Sequence, residues 1–256
     1  MSLLRLRPNR TRMRFASAPF LASHKYPVKK YIVISGLAID DNNRGTAALG
    51  YGALCFLEAR GLLSGGKLLR FKFYKNFFKR TIAPEVSHVK VGGRIFEIET
   101  VPIFFAYHRL ISTFGIRLPW GRLNCILKQT RLVAAINGGD GFSDIYGTRL
   151  FKSRLAEARL AITYGIPLIQ LPQTLGPFKQ RKSYNIAQRI LEYSRDIYVR
   201  DLSFEHELTK MQLGYELCSD LSSYMPPEVV HGLDILPHSV GLNVSGLAYS
   251  NQFNAL

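Results

Sequence analysis

Short apolar runs alternate with amphipathic stretches along most of this chain. KYIVISGLAI, at 30–39, is apolar and β-branched and predicts a buried strand. RGTAALGYGALCFLEARG, at 44–61, predicts a helix that starts near Thr46 and stops at Gly61. LLRFKFY predicts the next strand, and HVKVGGRIFEIETVP predicts a hairpin that turns at Gly92-Gly93. A helix is expected over Ile103–Phe114, followed by a buried strand in RLVAAIN. RLFKSRLAEARLAITYG, at 149–165, carries apolar residues at helical spacing and ends in glycine. Strands in IPLIQLPQ, DIYVRD and YELCSD then alternate with helices in KSYNIAQRILEYS and SFEHELTKMQ.

Strand and helix in strict alternation predict an α/β fold, a doubly wound, mostly parallel Rossmann-like sheet with helices on both faces. No internal repeat is visible. The alternation fills 30–237, which reads as one domain. It leaves a basic extension at 1–29 and a short apolar segment at 238–256 that looks like the start of another domain.

Ligands of such sheets bind beyond the carboxyl ends of the strands. That rule selects four loops: DDNNRGTAA, NGGDGFSD, PQTLGPF and RDLSFE. Asn43, Arg44, Gly45 and Thr46 lie where a helix begins. Free N–H groups there would accept a phosphate or carboxylate, and Arg44 would add a charged fork; Asn43 or Thr46 serves equally as a cap. Gly138, Gly139, Asp140 and Asp144 follow a buried strand. The two acids match no metal loop, and Asp144 is as well suited to capping or positioning. Gln173, Thr174 and Gly176 occupy a turn stiffened by proline. Arg200 ends a strand, placed to hold an anion or to pair with Asp201, itself suited to cap the next helix. Neither GxGxxG nor GK[ST] occurs at these loops, which argues against a nicotinamide cofactor and a P-loop.

Charge narrows the partners. The net charge of +16 is concentrated: residues 1–30 carry eight Lys and Arg and no acid, and 61–131 carry thirteen bases against three acids. A basic surface favours polyanions. The tail has the composition of an organellar transit peptide, and equally that of a disordered basic extension or of translation from an upstream start. In KLLRFKFYKNFFKR, Lys67, Arg70, Lys72, Lys75, Lys79 and Arg80 interleave with aromatic residues. They suit peripheral contact with an anionic membrane better than nucleic acid, which is not expected as a partner; a strand with a solvated loop explains them as well.

Three separated cysteines make no CxxC pair, and the setting expected is a reducing cytoplasm, peripheral to the membrane's inner face where the basic stretch engages it. No metal or cofactor is expected. The six histidines show no HxxxH pairing, and none is assigned a catalytic role.

NRGTAAL, INGGDGFSDIYG, PQTLGPF, VRDLSF and VGLNVSGL occur in the order found in the polysaccharide pyruvyl transferase family, which the chain resembles over roughly 31–250. The resemblance implies a GT-B-like architecture of two Rossmann-like domains facing a cleft. It implies transfer of a pyruvyl group from phosphoenolpyruvate to a hydroxyl of a glycan or lipid-linked sugar. It also implies Arg200 as first donor contact, Arg44-Gly45 as second, Gly138, Gly139 and Asp140 lining the cleft, and Asp144 orienting the acceptor. The family's second domain carries an Arg-x-His-like motif expected to supply the general acid. The chain stops soon after VGLNVSGL without it, so the expectation is a truncated chain with little or no activity alone. Two alternatives stay open: a nucleotide-sugar glycosyltransferase of similar fold, and a non-catalytic module that binds anionic glycan or lipid.

Overall fold

The computed structural model describes residues 29–75, 83–117 and 121–227, with His238 and Val240. The expectations for 1–28, for 239 and 241–256, and for Lys79 and Arg80 lie outside the described residues. In chain order the elements are β1 (Tyr31–Ser35), α1 (Arg44–Ala59), β2 (Lys67–Tyr74), β3 (Glu85–Val91), β4 (Arg94–Phe104), α2 (Phe105–Phe114), α3 (Arg122–Lys128) and β5 (Thr130–Ala135). There follow α4 (Thr148–Arg154), α5 (Ala156–Tyr164), β6 (Leu168–Gln173), α6 (Arg181–Tyr193), β7 (Asp196–Val199), α7 (Glu205–Lys210), β8 (Glu216–Leu217) and a 3-10 turn at Leu221–Tyr224.

The strands form one eight-stranded sheet in the order β3-β4-β2-β1-β5-β6-β7-β8. All neighbours pair in parallel except β3 and β4, the hairpin read from Gly92-Gly93. The chain leaves β1 on one side through β2 and β4. It returns to the centre as β5 on the other side of β1 and continues outward. The topological switch point of this Rossmann-like sheet therefore lies between β1 and β5.

Each central strand is apolar on both faces because both faces are covered. Ile32, Ile34, Leu132, Ala134, Ile169 and Leu171 join the core beneath α1 and the 3-10 turn. Val33, Val133, Ala135, Leu168, Ile197 and Val199 join the core beneath α2, α3, α5 and α6. Period-two alternation thus divides one continuous apolar run between two cores.

Several element bounds differ from the expectation. β1 ends at Ser35 because Gly36 turns the chain at φ +75°; Leu37 and Ile39 stay buried by packing against α1. The single helix expected over 149–165 is two, with Leu155 at φ −90°, ψ 11° between α4 and α5, and no Pro or Gly forces that break. α3 was not expected, although Leu123, Ile126 and Leu127 have helical spacing; seven residues give too short a pattern. The strand expected at 215–220 shrinks to two residues.

Candidate active site

A cavity of about 290 Å³ opens at the carboxyl ends of β1 and β5, at the switch point. Gly36 and Asp41 line it from beyond β1, Thr46 from α1, Asn137 and Gly138 from beyond β5, and Arg154 and Glu157 from α4 and α5. A larger cleft of about 430 Å³ lies at the opposite edge, around Glu58, Lys67, Arg94 and Glu97. Its Arg94 pairs with Glu58 and its Lys67 with Glu99, and the amino ends of strands are not where such sheets bind ligands. The chemistry is therefore sought in the smaller cavity.

Arg154 stands in that wall without a carboxylate partner among the described residues; its guanidinium lies 5.6 Å from the Tyr146 ring centroid. The Tyr146 hydroxyl donates to Asp140 at 2.6 Å, and that hydrogen bond raises the phenol's pKa. Glu157, 7% exposed, is in the first turn of α5. Burial pushes its pKa from 4.5 up to about 7, only partly offset by its own backbone N–H and the Ser35 hydroxyl. A carboxyl poised near neutrality in a cavity can hold a proton and release it.

The glycines of NGGDG admit these arginines. A Cβ on Gly141 would lie 1.8 Å from the Asn137 carbonyl oxygen and 2.2 Å from Arg154 Nη1. A Cβ on Gly139, where φ is +84°, would lie 2.9 Å from Arg200 Nη1. The loop thus runs between two guanidinium groups, with Gly138 at the cavity rim.

The start of α1 is closed. Asn43 Oδ1 accepts from the Gly45 N–H at 3.0 Å and the Thr46 N–H at 3.4 Å, so the cap reading of Asn43 is correct. The two N–H groups assigned to an anion are already engaged. Asp41 accepts from the Asn43 N–H at 2.9 Å, which fixes the approach to the helix. Arg44 is exposed beside this turn, and Thr46 reaches the cavity.

A second polar group lies beyond β6 and β7. Arg200 Nε donates to Thr174 Oγ1 at 2.8 Å and Nη1 to Asp220 Oδ2 at 2.7 Å, while Asp201 is 3.9 Å away. The ion pair expected with Asp201 is chiefly with Asp220. Asp201 accepts from Thr174 and Ser203. Burial raises the pKa of Asp201, but the Ser203 and Thr174 hydroxyls, the Ser203 N–H and Arg200 outweigh it, and the net shift is downward.

Two expected site residues are wholly buried and serve the scaffold. Gln173 Oε1 accepts from the backbone and side-chain N–H of Asn137, at 3.1 and 2.9 Å, joining the ends of β5 and β6. Asp144 accepts from the Lys179 and Gln180 N–H groups, at 2.7 and 3.0 Å, ahead of α6; it is 4% exposed and both its oxygens are engaged by these amides. Burial raises its pKa, and those amides with the Ser183 hydroxyl bring it below the ordinary value. Gly176 packs against Phe204.

Arg154, Glu157, Asp41 and Asp220 were missed. Glu157 alone had a visible signal, an acid inside the apolar stripe of a helix between two alanines. The membrane stretch also changes: Lys67 pairs with Glu99 and Arg70 with Asp40 and Thr100 on an interior strand, leaving Lys72 and Lys75 exposed.

Among the described residues there is no group of three or more His, Cys, Asp and Glu able to hold a metal, and no helix long and apolar enough to cross a membrane. The family model for polysaccharide pyruvyl transferase matches residues 13–228. No curated protein matches the chain.

Proposed function

The chain belongs to the polysaccharide pyruvyl transferase family, and on that premise we propose that it moves a pyruvyl group from phosphoenolpyruvate to a sugar hydroxyl of a polysaccharide or its precursor. The observation that carries this reading is the switch-point cavity, which combines an unpaired guanidinium, Arg154, with a buried carboxyl, Glu157. Phosphoenolpyruvate carries a carboxylate and a phosphate, which forked guanidinium groups suit. Arg154 offers such a fork at the wall. Arg200, 27% exposed and fixed by Thr174 and Asp220, offers a second across Gly139.

The reaction needs a proton on the methylene carbon of the donor. The cationic carbon that results is attacked by an acceptor hydroxyl, phosphate leaves, and a second hydroxyl can close a cyclic ketal. Arginines placed in advance offset the donor's charge throughout. Thr46 and Asp41 line the same cavity and supply a neutral and an acidic group suited to sugar hydroxyls.

The test is a thermal-shift comparison of phosphoenolpyruvate with nucleotide sugars, followed by phosphate release with a glycan that can be pyruvylated. Stabilisation by phosphoenolpyruvate and not by nucleotide sugars is expected; phosphate release by this chain alone would overturn the expectation that it has little activity by itself. Stabilisation by a nucleotide sugar alone would replace this reading with a glycosyltransferase.

A further inference from the structure

We propose that the outer face of α2, α5 and α6 docks on an anionic lipid surface, with a cavity between Arg159 and Arg189 receiving a lipid phosphate. The proposal does not depend on the transferase reading. A cavity of about 260 Å³ lies between these helices, lined by Ser112 and Phe114 of α2, Arg159 and Thr163 of α5, and Arg189 and Ile190 of α6. Arg159 follows Glu157 by two residues, so its side chain projects about 200° further round α5, away from the switch-point cavity.

The cavity holds positive charge without an answering acid. Arg159 is half-buried, and its Nη2 donates to the Ser112 carbonyl at 2.6 Å, in the last turn of α2. That contact engages one arm of the fork, and neither Arg159 nor Arg189 forms an ion pair among the described residues. Burial, and then the charge of Arg189, lowers the Arg159 pKa, as happens to a cation taken out of water beside a like charge. Glu192, one turn past Arg189, accepts from Gln188 Nε2 at 2.8 Å and makes no ion pair among the described residues. An anion accepting from both guanidinium groups would complete the cavity.

Apolar side chains frame this charge and decide between a lipid and a soluble anion. Leu110 and Phe114, four apart, share one face of α2 and are 38% and 68% exposed; Ile116, past the Gly115 stop, is 50% exposed. Arg109 and Arg117 are exposed beside them, Arg117 held by its Nε on the Thr163 carbonyl at 2.8 Å, and no acid occurs in 105–117. Exposed apolar groups flanked by cations suit the boundary of a bilayer, where the apolar groups enter the acyl region and the guanidinium groups meet headgroup phosphate. A soluble anion would leave Phe114 in water. The basic stretch of β2 offers less to a membrane, since Lys67 and Arg70 are already in ion pairs.

The experiment is co-sedimentation of the full chain with vesicles of phosphatidylcholine, alone or mixed with phosphatidylglycerol, at physiological salt to screen attraction at a distance. Binding to the mixed vesicles and not to the neutral ones is expected. R159Q/R189Q and F114S should each weaken it about tenfold. K72Q/K75Q removes the same charge elsewhere and should stay within about threefold of wild type. F114S binding as tightly as wild type, or K72Q/K75Q losing as much as R159Q/R189Q, overturns the proposal, because the charge of the whole chain would then do the binding. Should R159Q/R189Q not fold, R189Q and F114S, both at exposed residues, decide. The thermal shift with phosphoenolpyruvate should be the same in all variants; its loss in R159Q/R189Q would place these arginines at the donor site and overturn the proposal. Inorganic phosphate that stabilises the wild type and not R159Q/R189Q, without vesicle binding, would make the cavity a site for a free anion and overturn it too.

Discussion

Beyond β6 and β7, Arg200, Thr174, Asp201 and Asp220 satisfy one another through hydrogen bonds of 2.5–2.8 Å. Beyond β1 and β5, on the other side of Gly139, Arg154 and the almost wholly buried Glu157 line a cavity instead, without an ion-pair partner among the described residues. Both groups occupy the same edge of the same sheet, and both combine arginine with carboxylates. They respond to pH in opposite directions. Burial raises the pKa of Asp220, but the Ser222 hydroxyl and N–H and the Arg200 guanidinium outweigh it and hold it below 3.8. The stability Asp220 contributes is present above 3.8 and is lost as the pH falls through its lower folded value. Glu157, held up at about 7, works the other way. A polar group largely completed by its neighbours is held rigid and has little left to offer, in Arg200 the Nη2 side of its fork; one left incomplete in a cavity is more fully available for chemistry.

The largest expected effect separates the two directly. Unfolded, Glu157 ionises near 4.5, and folded near 7. Its contribution is therefore fully present below 4.5 and lost as the pH rises through 7, a difference on the order of 3 kcal/mol above that range. Glu157→Gln is uncharged at every pH. The variant should match the wild type in urea unfolding at pH 4 and exceed its stability by about that amount at pH 8.5. Equal stability at both pH values would mean that the carboxyl is solvated and that the cavity is no different from the second group.

Asp220→Ala breaks the completed group. It leaves Arg200 without its charged partner and removes the acceptor for the Ser222 N–H at 2.9 Å. The pair is about a third exposed, so the loss should be about 2 kcal/mol at pH 7 in urea unfolding, shrinking in acid as the pH falls through the lowered folded value and the wild-type carboxyl protonates. A variant as stable as the wild type would make the group decorative.

The sheet was legible because buried parallel strands leave apolar runs that few other structures produce, and the order of strand and helix fixes the edge where ligands bind. INGGDGFSDIYG was legible as a cleft loop, since Gly139 and Gly141 give way to two arginines. The arginines themselves were less so. Arg200 follows a strand and stands out in the sequence for that reason; Arg154 ends a helix, a position where basic residues are ordinary. Nor did periodicity show the break at Leu155, which nothing local forces, or that Asp144 would be consumed by the amides ahead of α6. Those outcomes depend on which groups meet in space, and residue type does not record that.

The smallest effect on stability should come from Arg154, and its effect on the donor gives the comparison its sharpest form. Among the described residues its ring or charge partner is the Tyr146 ring, a contact worth about 0.5 kcal/mol at an exposed site. Arg154→Gln removes that contact and the charge but keeps most of the length, so urea unfolding should move by no more than about 0.5 kcal/mol. Calorimetric titration with phosphoenolpyruvate should nevertheless show Kd raised about tenfold, the equivalent of about 1.4 kcal/mol for one lost charge-assisted contact. Asp220→Ala should show the reverse balance, a large loss of stability with a smaller change in Kd, because it leaves Arg200 Nε on Thr174. If Arg154→Gln destabilises the fold and leaves donor binding intact, the guanidinium props up the glycine loop, and the donor's grip must be sought at Arg200.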